Sequence, residues 1–207
     1  LGIVFTSSIV QDHPFDFARR MSSLDHYTDG RLGWNIVTSF NENMFRSFGL
    51  EGTLAHDERY EWAYEYVDVV YKLWEGSWDD DALVQDKESG VHADPSKIHK
   101  INHTGTRYRV EGPHFSSPSP QRTPVLFQAG SSPAGQLFSA RNAEGVYISS
   151  PTPTAAHGLV TETRALAAAN GRDPEDITFA QGLSFVIGDT HAEAVRRNDD
   201  LKRYLDL

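Results

Sequence analysis

The residues best suited to chemistry fall into three groups. Gly130-Ser131-Ser132-Pro133 follows an apolar run and precedes a helical pattern, so a strand, a glycine turn and a helix start stand in succession. The first turn of a helix carries unpaired N–H groups and positive potential, and serine hydroxyls add donors, so such a turn suits a phosphate. The same residues also describe a serine that caps a helix. Capped helix starts are far commoner than anion sites, so the motif alone favours the cap. The second group is His56-Asp57-Glu58-Arg59-Tyr60. His56 and Tyr60 stand four apart on one helix face, where an imidazole and a phenol can donate to one phosphate. Spacing alone favours His56 as a cap and Tyr60 as the start of an apolar face, with Glu58 and Arg59 a solvated ion-pair face. The third is Asn35, which interrupts the apolar run Leu32-Gly33-Trp34-Asn35-Ile36-Val37. A buried amide without a partner costs free energy, so Asn35 needs one, from the protein or from a ligand.

Other chemistries find less support. His99 and His103 have the four-residue spacing of a zinc-binding helix. Pro95, Asn102 and Gly105 disfavour a helix there, and no His-Glu-x-x-His is present, so a surface hairpin without metal is expected. No Gly-x-Ser-x-Gly elbow supports covalent hydrolysis. Carboxylates pair only in solvated runs such as Asp79-Asp80-Asp81, not at strand ends where glycoside chemistry would need them.

The 207 residues, 39% hydrophobic and 23% charged, suffice for one domain with a substantial core. A formal charge of −10, without a basic stripe, argues against nucleic acid as a partner. No apolar run reaches membrane-spanning length, and no basic-then-apolar leader stands at Leu1, so the cytoplasm is the expected compartment. The absence of cysteine excludes disulfides, thiolate metal sites and thiol catalysis.

These groups need elements to hold them. Residues 1–9 read as an apolar strand, and Asp12-His13-Pro14 starts a helix with Phe17, Met21 and Leu24 on its apolar face. A strand over 32–39 follows, then a connector over 41–52 with one helical turn around Met44-Phe45. The spacing of Tyr60, Ala63, Val67, Val70 and Trp74 predicts a helix from about 56 to 74. Residues 76–122 break the rhythm and read as an insertion rather than core, with a hairpin about Gly105 between 101–103 and 107–110. Strands over 124–129, 145–149 and within 177–187 then alternate with helices over 133–142 and 154–169. Thr190 caps a last helix running through Leu205.

Five strands alternating with helices imply a parallel sheet with right-handed crossovers. An open doubly wound sheet loses ground because no Gly-x-Gly-x-x-Gly follows a strand. Polar residues gather at strand ends, in Thr6-Ser7-Ser8, Thr38-Ser39, Gly130-Ser131-Ser132 and Ser149-Ser150. In a barrel these all fall on the C-terminal face, where sites are built. The expected fold is α/β, a (β/α)8 TIM barrel of which about five βα units are present in one domain over residues 1–207. The chain starts inside a strand and ends inside an apparent helix, so it reads as a piece of a longer barrel with unpaired strand edges.

One ordered set of motifs carries a family resemblance. It comprises His13-Pro14, Ala18-Arg19-Arg20, Leu24-Asp25-His26, Gly30-Arg31 with Gly33-Trp34-Asn35-Ile36-Val37-Thr38-Ser39, His56-Asp57 with Arg59-Tyr60, and Gln128-Ala129-Gly130 with Ser132. The set resembles the bacterial-luciferase-like flavin monooxygenases, in the branch of the nitrilotriacetate, pristinamycin-synthase and dibenzothiophene-sulfone enzymes. Val69-Val70-Tyr71-Lys72-Leu73-Trp74-Glu75-Gly76-Ser77-Trp78, Gly112-Pro113-His114 and Ser119-Pro120-Gln121-Arg122-Thr123-Pro124-Val125 look nearest to dimethyl-sulfide monooxygenases. The resemblance covers essentially the whole chain. It implies a luciferase-like barrel that uses O2 and reduced FMN, delivered by a separate NAD(P)H-dependent flavin reductase, to oxygenate a small organic, often sulfur- or nitrogen-containing, substrate. It implies that Thr6, His56, Tyr60, Ser131 and Ser132 hold FMN, with His56, Tyr60 and Ser131 toward its phosphate end. Asn35 would face the isoalloxazine or substrate, His13 would line the same mouth, and no metal is needed. Members of this kind form homo-oligomers and are about twice as long, so three strands and several flavin-contacting elements are missing. A non-catalytic or F420-type flavin-binding barrel and an inactive fragment are the alternatives.

Overall fold

A computed structural model describes residues 1–204. The sheet consists of β1 (Ile3–Ser8), β2 (Leu32–Val37), β7 (Val125–Gln128), β8 (Gly145–Ile148) and β9 (Thr178–Gln181), in that order and all parallel. The helices α1 (Pro14–Thr28), α3 (His56–Gly76), α4 (Pro133–Asn142), α5 (Pro153–Ala169) and α6 (His191–Lys202) are joined by a short α2 (Glu42–Ser47). The expected βα alternation is present. Among the described residues β1 and β9 pair on one side only, so the sheet is an open arc. The expected end of the last helix, Leu205, lies outside those residues.

Local signals explain most element ends. Pro14 opens α1 behind His13, whose Nδ1 accepts from the Phe15 N–H at 3.2 Å. Asp29 closes α1 in the left-handed region at φ 52°, and Gly30 continues the turn at φ 71°. Ser132, Thr152 and Thr190 cap α4, α5 and α6 through their side chains. The last strand is shorter than expected. Gly182 still bonds Ile148, but Leu183, Phe185 and Ile187 leave the ladder and are exposed.

Register determines which side chains meet. Thr6, Asn35, Phe127, Gly145 and Thr178 align as one row across the sheet. Successive strand residues face opposite sides. Leu32, Trp34, Ile36, Leu126, Val146 and Ile148 are buried beneath the helices, whereas Val4, Val125 and Tyr147 are exposed on the other face. The core centres on Trp34, Phe17 and Tyr66, with ring centroids 4.4 to 5.9 Å apart. The Trp34 indole donates to the Ser7 carbonyl at 3.0 Å, and Trp74 to that of Ala18 at 3.1 Å. Burying each such side chain stabilises the fold by about 1.5–3 kcal/mol. No helix among the described residues is long and apolar enough to cross a membrane.

The excursion corrects one expectation. It holds two hairpins, β3 (Leu83–Asp86) with β4 (Val91–Ala93), and β5 (His103–Thr104) with β6 (Arg109–Val110). The second is not a surface appendage, because Tyr108 and Val110 join the main core and His103 is buried. Glu65 of α3 is the reason. Its carboxylate accepts from the backbone N–H groups of Arg107 and Tyr108 and sits 3.4 Å from His103 Nε2. Burial works to raise the Glu65 pKa, but these hydrogen bonds and His103 win and hold it below the ordinary value. Tyr108 accepts from the Trp62 indole at 2.6 Å and meets His13 edge-on at 5.3 Å. At the far end, the buried Asp25 of α1 accepts from the Gln121 N–H at 2.8 Å and from its side-chain amide.

Candidate functional site

Two clefts adjoin the strand ends, and the predicted residues divide between them. A cleft of about 570 Å³ lies where β2 and β7 end and α3 and α4 begin. His56, Tyr60, Ser131 and Ser132 all line it, with Thr38, Ser39 and Gln128. A larger cleft, about 790 Å³, runs along β1 and α1 and includes only Thr6 of the predicted set. Asn35 and His13 line neither.

In the smaller cleft, the four-residue spacing on α3 brings the rings of His56 and Tyr60 to 5.2 Å. The Ser132 hydroxyl accepts from the Gly135 N–H at 3.2 Å and lies 3.1 Å from His56 Nε2. His56 Nδ1 faces Asp57 at 2.7 Å. With Nδ1–H given to Asp57, Nε2 accepts from Ser132 in the neutral ring and donates in the protonated one. Ser132 is therefore both the cap and a cleft residue, and the two readings of its motif coexist. Ser131 is exposed at the rim, and its carbonyl accepts from the Gln136 amide at 3.0 Å. Glycine makes the close approach possible, since a Cβ at Gly130 or Gly135 would come within 2.7 Å of the Tyr60 oxygen.

Arg59 is the residue that sequence reasoning misplaced. It does not lie on a solvated face but lines the cleft. Its Nη1 donates to the Ser39 carbonyl, and its Nε is buried without a partner among the described residues. The signal was present, because Arg59 stands three residues after His56 and so shares its helix face. Among the described residues the cleft lining contains no carboxylate. A guanidinium, an imidazole, a phenol, a serine hydroxyl and a helix N-terminus therefore converge on one space, a donor set that fits a phosphate.

Asn35 sits in the next row of the sheet, on the face away from the helices. Its Nδ2 donates to Thr6 Oγ1 at 3.0 Å, and its Oδ1 is buried and unpartnered among the described residues. His13 is placed as the cap of α1, beside Tyr108. The histidines of the excursion do not gather. His99 pairs with Asp79 and His103 with Glu65 and Asp68, and no group of three or more ligating side chains stands ready for a metal among the described residues. His114 bonds the Ser22 hydroxyl at 2.8 Å, and burial lowers its pKa to about 4.

Comparison with known proteins gives a consistent picture. The long-chain alkane monooxygenase of Geobacillus thermodenitrificans is 44% identical over 207 residues, all of this chain and 47% of that protein. The dimethyl-sulfide monooxygenase of Hyphomicrobium sulfonivorans is 46% identical over 204 residues, 99% of this chain and 42% of that protein. A crystal structure of riboflavin lyase with modified FMN and riboflavin superposes with a TM-score of 0.90 at 44% identity, covering 97% of this chain and 44% of that one. The chain thus spans somewhat under half the length of these relatives, and its five βα units are part of a luciferase-like TIM barrel. The profile of the luciferase-like monooxygenases matches residues 3–206, and the chain belongs to that family.

Proposed function

We propose that the protein built on this chain is an FMN-dependent monooxygenase of a two-component system. It takes reduced FMN from a separate NAD(P)H-dependent flavin reductase and uses O2 to oxygenate a small organic substrate, with sulfur- and nitrogen-containing compounds the first candidates. The observation that carries this reading is the cleft at the starts of α3 and α4, lined by donors and by no carboxylate among the described residues. His56, Arg59, Tyr60, Ser131 and Ser132 would hold the phosphate end there. Thr6 and Asn35, one row deeper on the open face and joined by the Asn35 Nδ2 to Thr6 Oγ1 hydrogen bond, would stand beside the flavin ring. His13 has Nδ1 committed to its own helix, so only Nε2 can meet a ligand at the mouth. The flavin supplies the oxygen chemistry, and these residues bind it, orient it and keep water away. The monooxygenase names of the relatives support the reading. With an NAD(P)H-dependent partner the pair would work in the cytoplasm, and a homo-oligomer is the expected assembly.

Anaerobic titration of the full-length protein with reduced FMN, followed by oxygen uptake with a flavin reductase present, tests the proposal. Micromolar FMN binding and reductase-dependent uptake are expected. Binding of coenzyme F420 in preference to FMN would reject it, as would no flavin binding at all.

A further inference from the structure

We propose that Gln128 is a positioning residue for the anion cradle, directing the Tyr60 hydroxyl proton into the cleft. The inference rests on the reading of that cleft as the seat of a phosphate. Gln128 ends β7 and is 4% exposed; its neighbour Ser139 in α4 is fully buried. The Ser139 hydroxyl lies 2.6 Å from Gln128 Oε1 and 2.9 Å from the Gly135 carbonyl and gives its single proton to the nearer oxygen, while Gln128 Nε2 donates to the Tyr60 oxygen at 3.2 Å. A glutamine amide has one accepting end and one donating end. With its oxygen engaged by Ser139, it turns its N–H groups to Tyr60, and a phenol that accepts there keeps its single proton for another direction. The Tyr60 ring packs against Phe138, with centroids 5.8 Å apart, and Gly130 and Gly135 close in on the oxygen. The direction left open is the cleft, where the proton can be donated to an anion. The opposite amide orientation would draw that proton into the core and leave the cleft facing an acceptor.

The chain Ser139–Gln128–Tyr60 also ties together α4, β7 and α3, the three elements whose ends make the cradle. A change at Gln128 is therefore felt at the phosphate end and not at the ring. Reduced FMN and reduced riboflavin, which lacks the phosphate, separate the two. In anaerobic titrations of the full-length protein, Gln128→Met should lower the preference for FMN over riboflavin roughly tenfold, the value of one hydrogen bond to a charged group. Riboflavin affinity should stay where it was. Tyr60→Phe should lower the preference as much, and the double variant no further, because both changes act through one hydroxyl. Gln128→Glu keeps the shape but replaces the two amide N–H donors by a carboxyl group, which when ionised can only accept, so it should also lower the preference even where the methionine variant folds poorly. An unchanged preference in Gln128→Met and Gln128→Glu, or additive losses in the double variant, would overturn the inference. A wild-type protein that binds both flavins equally would instead overturn the phosphate reading, and this inference with it.

Discussion

Two amides of the apolar strands, Asn35 and Gln128, are treated by the fold in opposite ways. Gln128 points toward the helices, is almost fully buried, and has both ends engaged by Ser139 and Tyr60. Asn35, one strand away, points to the opposite face and has only its donor end engaged, by Thr6. A buried polar group is tolerated where its valences are filled, and an unfilled one marks a place where something else must supply the partner. On the proposed reading Gln128 belongs to the scaffold that aims the site, and Asn35 to the surface that would meet a ligand.

The largest expected effect tests the first half of that contrast. Gln128→Leu removes the donor to Tyr60 and the nearer of the two acceptors of the buried Ser139 hydroxyl, which keeps the Gly135 carbonyl, so stability should fall by about 2 kcal/mol in urea unfolding. An equal fall in Asn35→Leu would erase the distinction between the two amides.

His114 sharpens the contrast from another side, because it is half engaged: Nε2 meets Ser22 and Nδ1 is buried without a partner among the described residues. Burial favours the neutral ring and lowers its pKa from 6.5 to about 4. The unfolded chain then binds more protons than the folded one between those values, so this contribution to stability is full above pH 6.5 and is lost as pH falls toward 4. By pH 5 the loss should reach about 2 kcal/mol. Denaturant midpoints across that range check it, and His114→Gln should flatten the slope. A wild-type profile flat from pH 7 to 5 would show that the ring takes up its proton without cost.

Glu65 is the fully engaged counterpart outside the sheet. Its pKa is lowered, so its contribution is present above the ordinary value of 4.5 and is lost as pH falls through the lower folded value. Glu65→Gln should cost about 1 kcal/mol at neutral pH, since a charge-assisted acceptor becomes a neutral one. Faster proteolysis within residues 103–110 should accompany the change, and unchanged cleavage would show that the hairpin is held by Tyr108 and Val110 alone.

These cases also show what a sequence discloses. The βα alternation, the start of α3 at His56 and the Ser132 cap were legible because they depend on local periodicity and capping chemistry. His56, Tyr60, Ser131 and Ser132 reached one cleft because two short motifs each carried its own geometry. Arg59 was misassigned because a charge on a helix was given to solvent, although its spacing from His56 placed it on the same face. Gln128 was legible only as a strand residue. Its partners stand 68 positions back and 11 forward, and nothing local announces them. The burial of Tyr108 was hidden in the same way, since it depends on Glu65, 43 residues earlier.

The smallest expected effect on stability carries the second half of the contrast. Asn35→Val removes an amide whose oxygen has no partner among the described residues and whose nitrogen bonds the exposed Thr6, which water can serve instead. Valine suits a strand, so stability should change by no more than about 0.5 kcal/mol. If Asn35 meets the flavin ring, reduced FMN and reduced riboflavin should both bind more weakly, by about 1–3 kcal/mol, with the preference between them unchanged. That is the reverse of the pattern expected for Gln128, which alters the preference and leaves riboflavin alone. A selective loss of FMN in Asn35→Val would move this amide to the phosphate end. A stability loss near that of Gln128→Leu would make it scaffold.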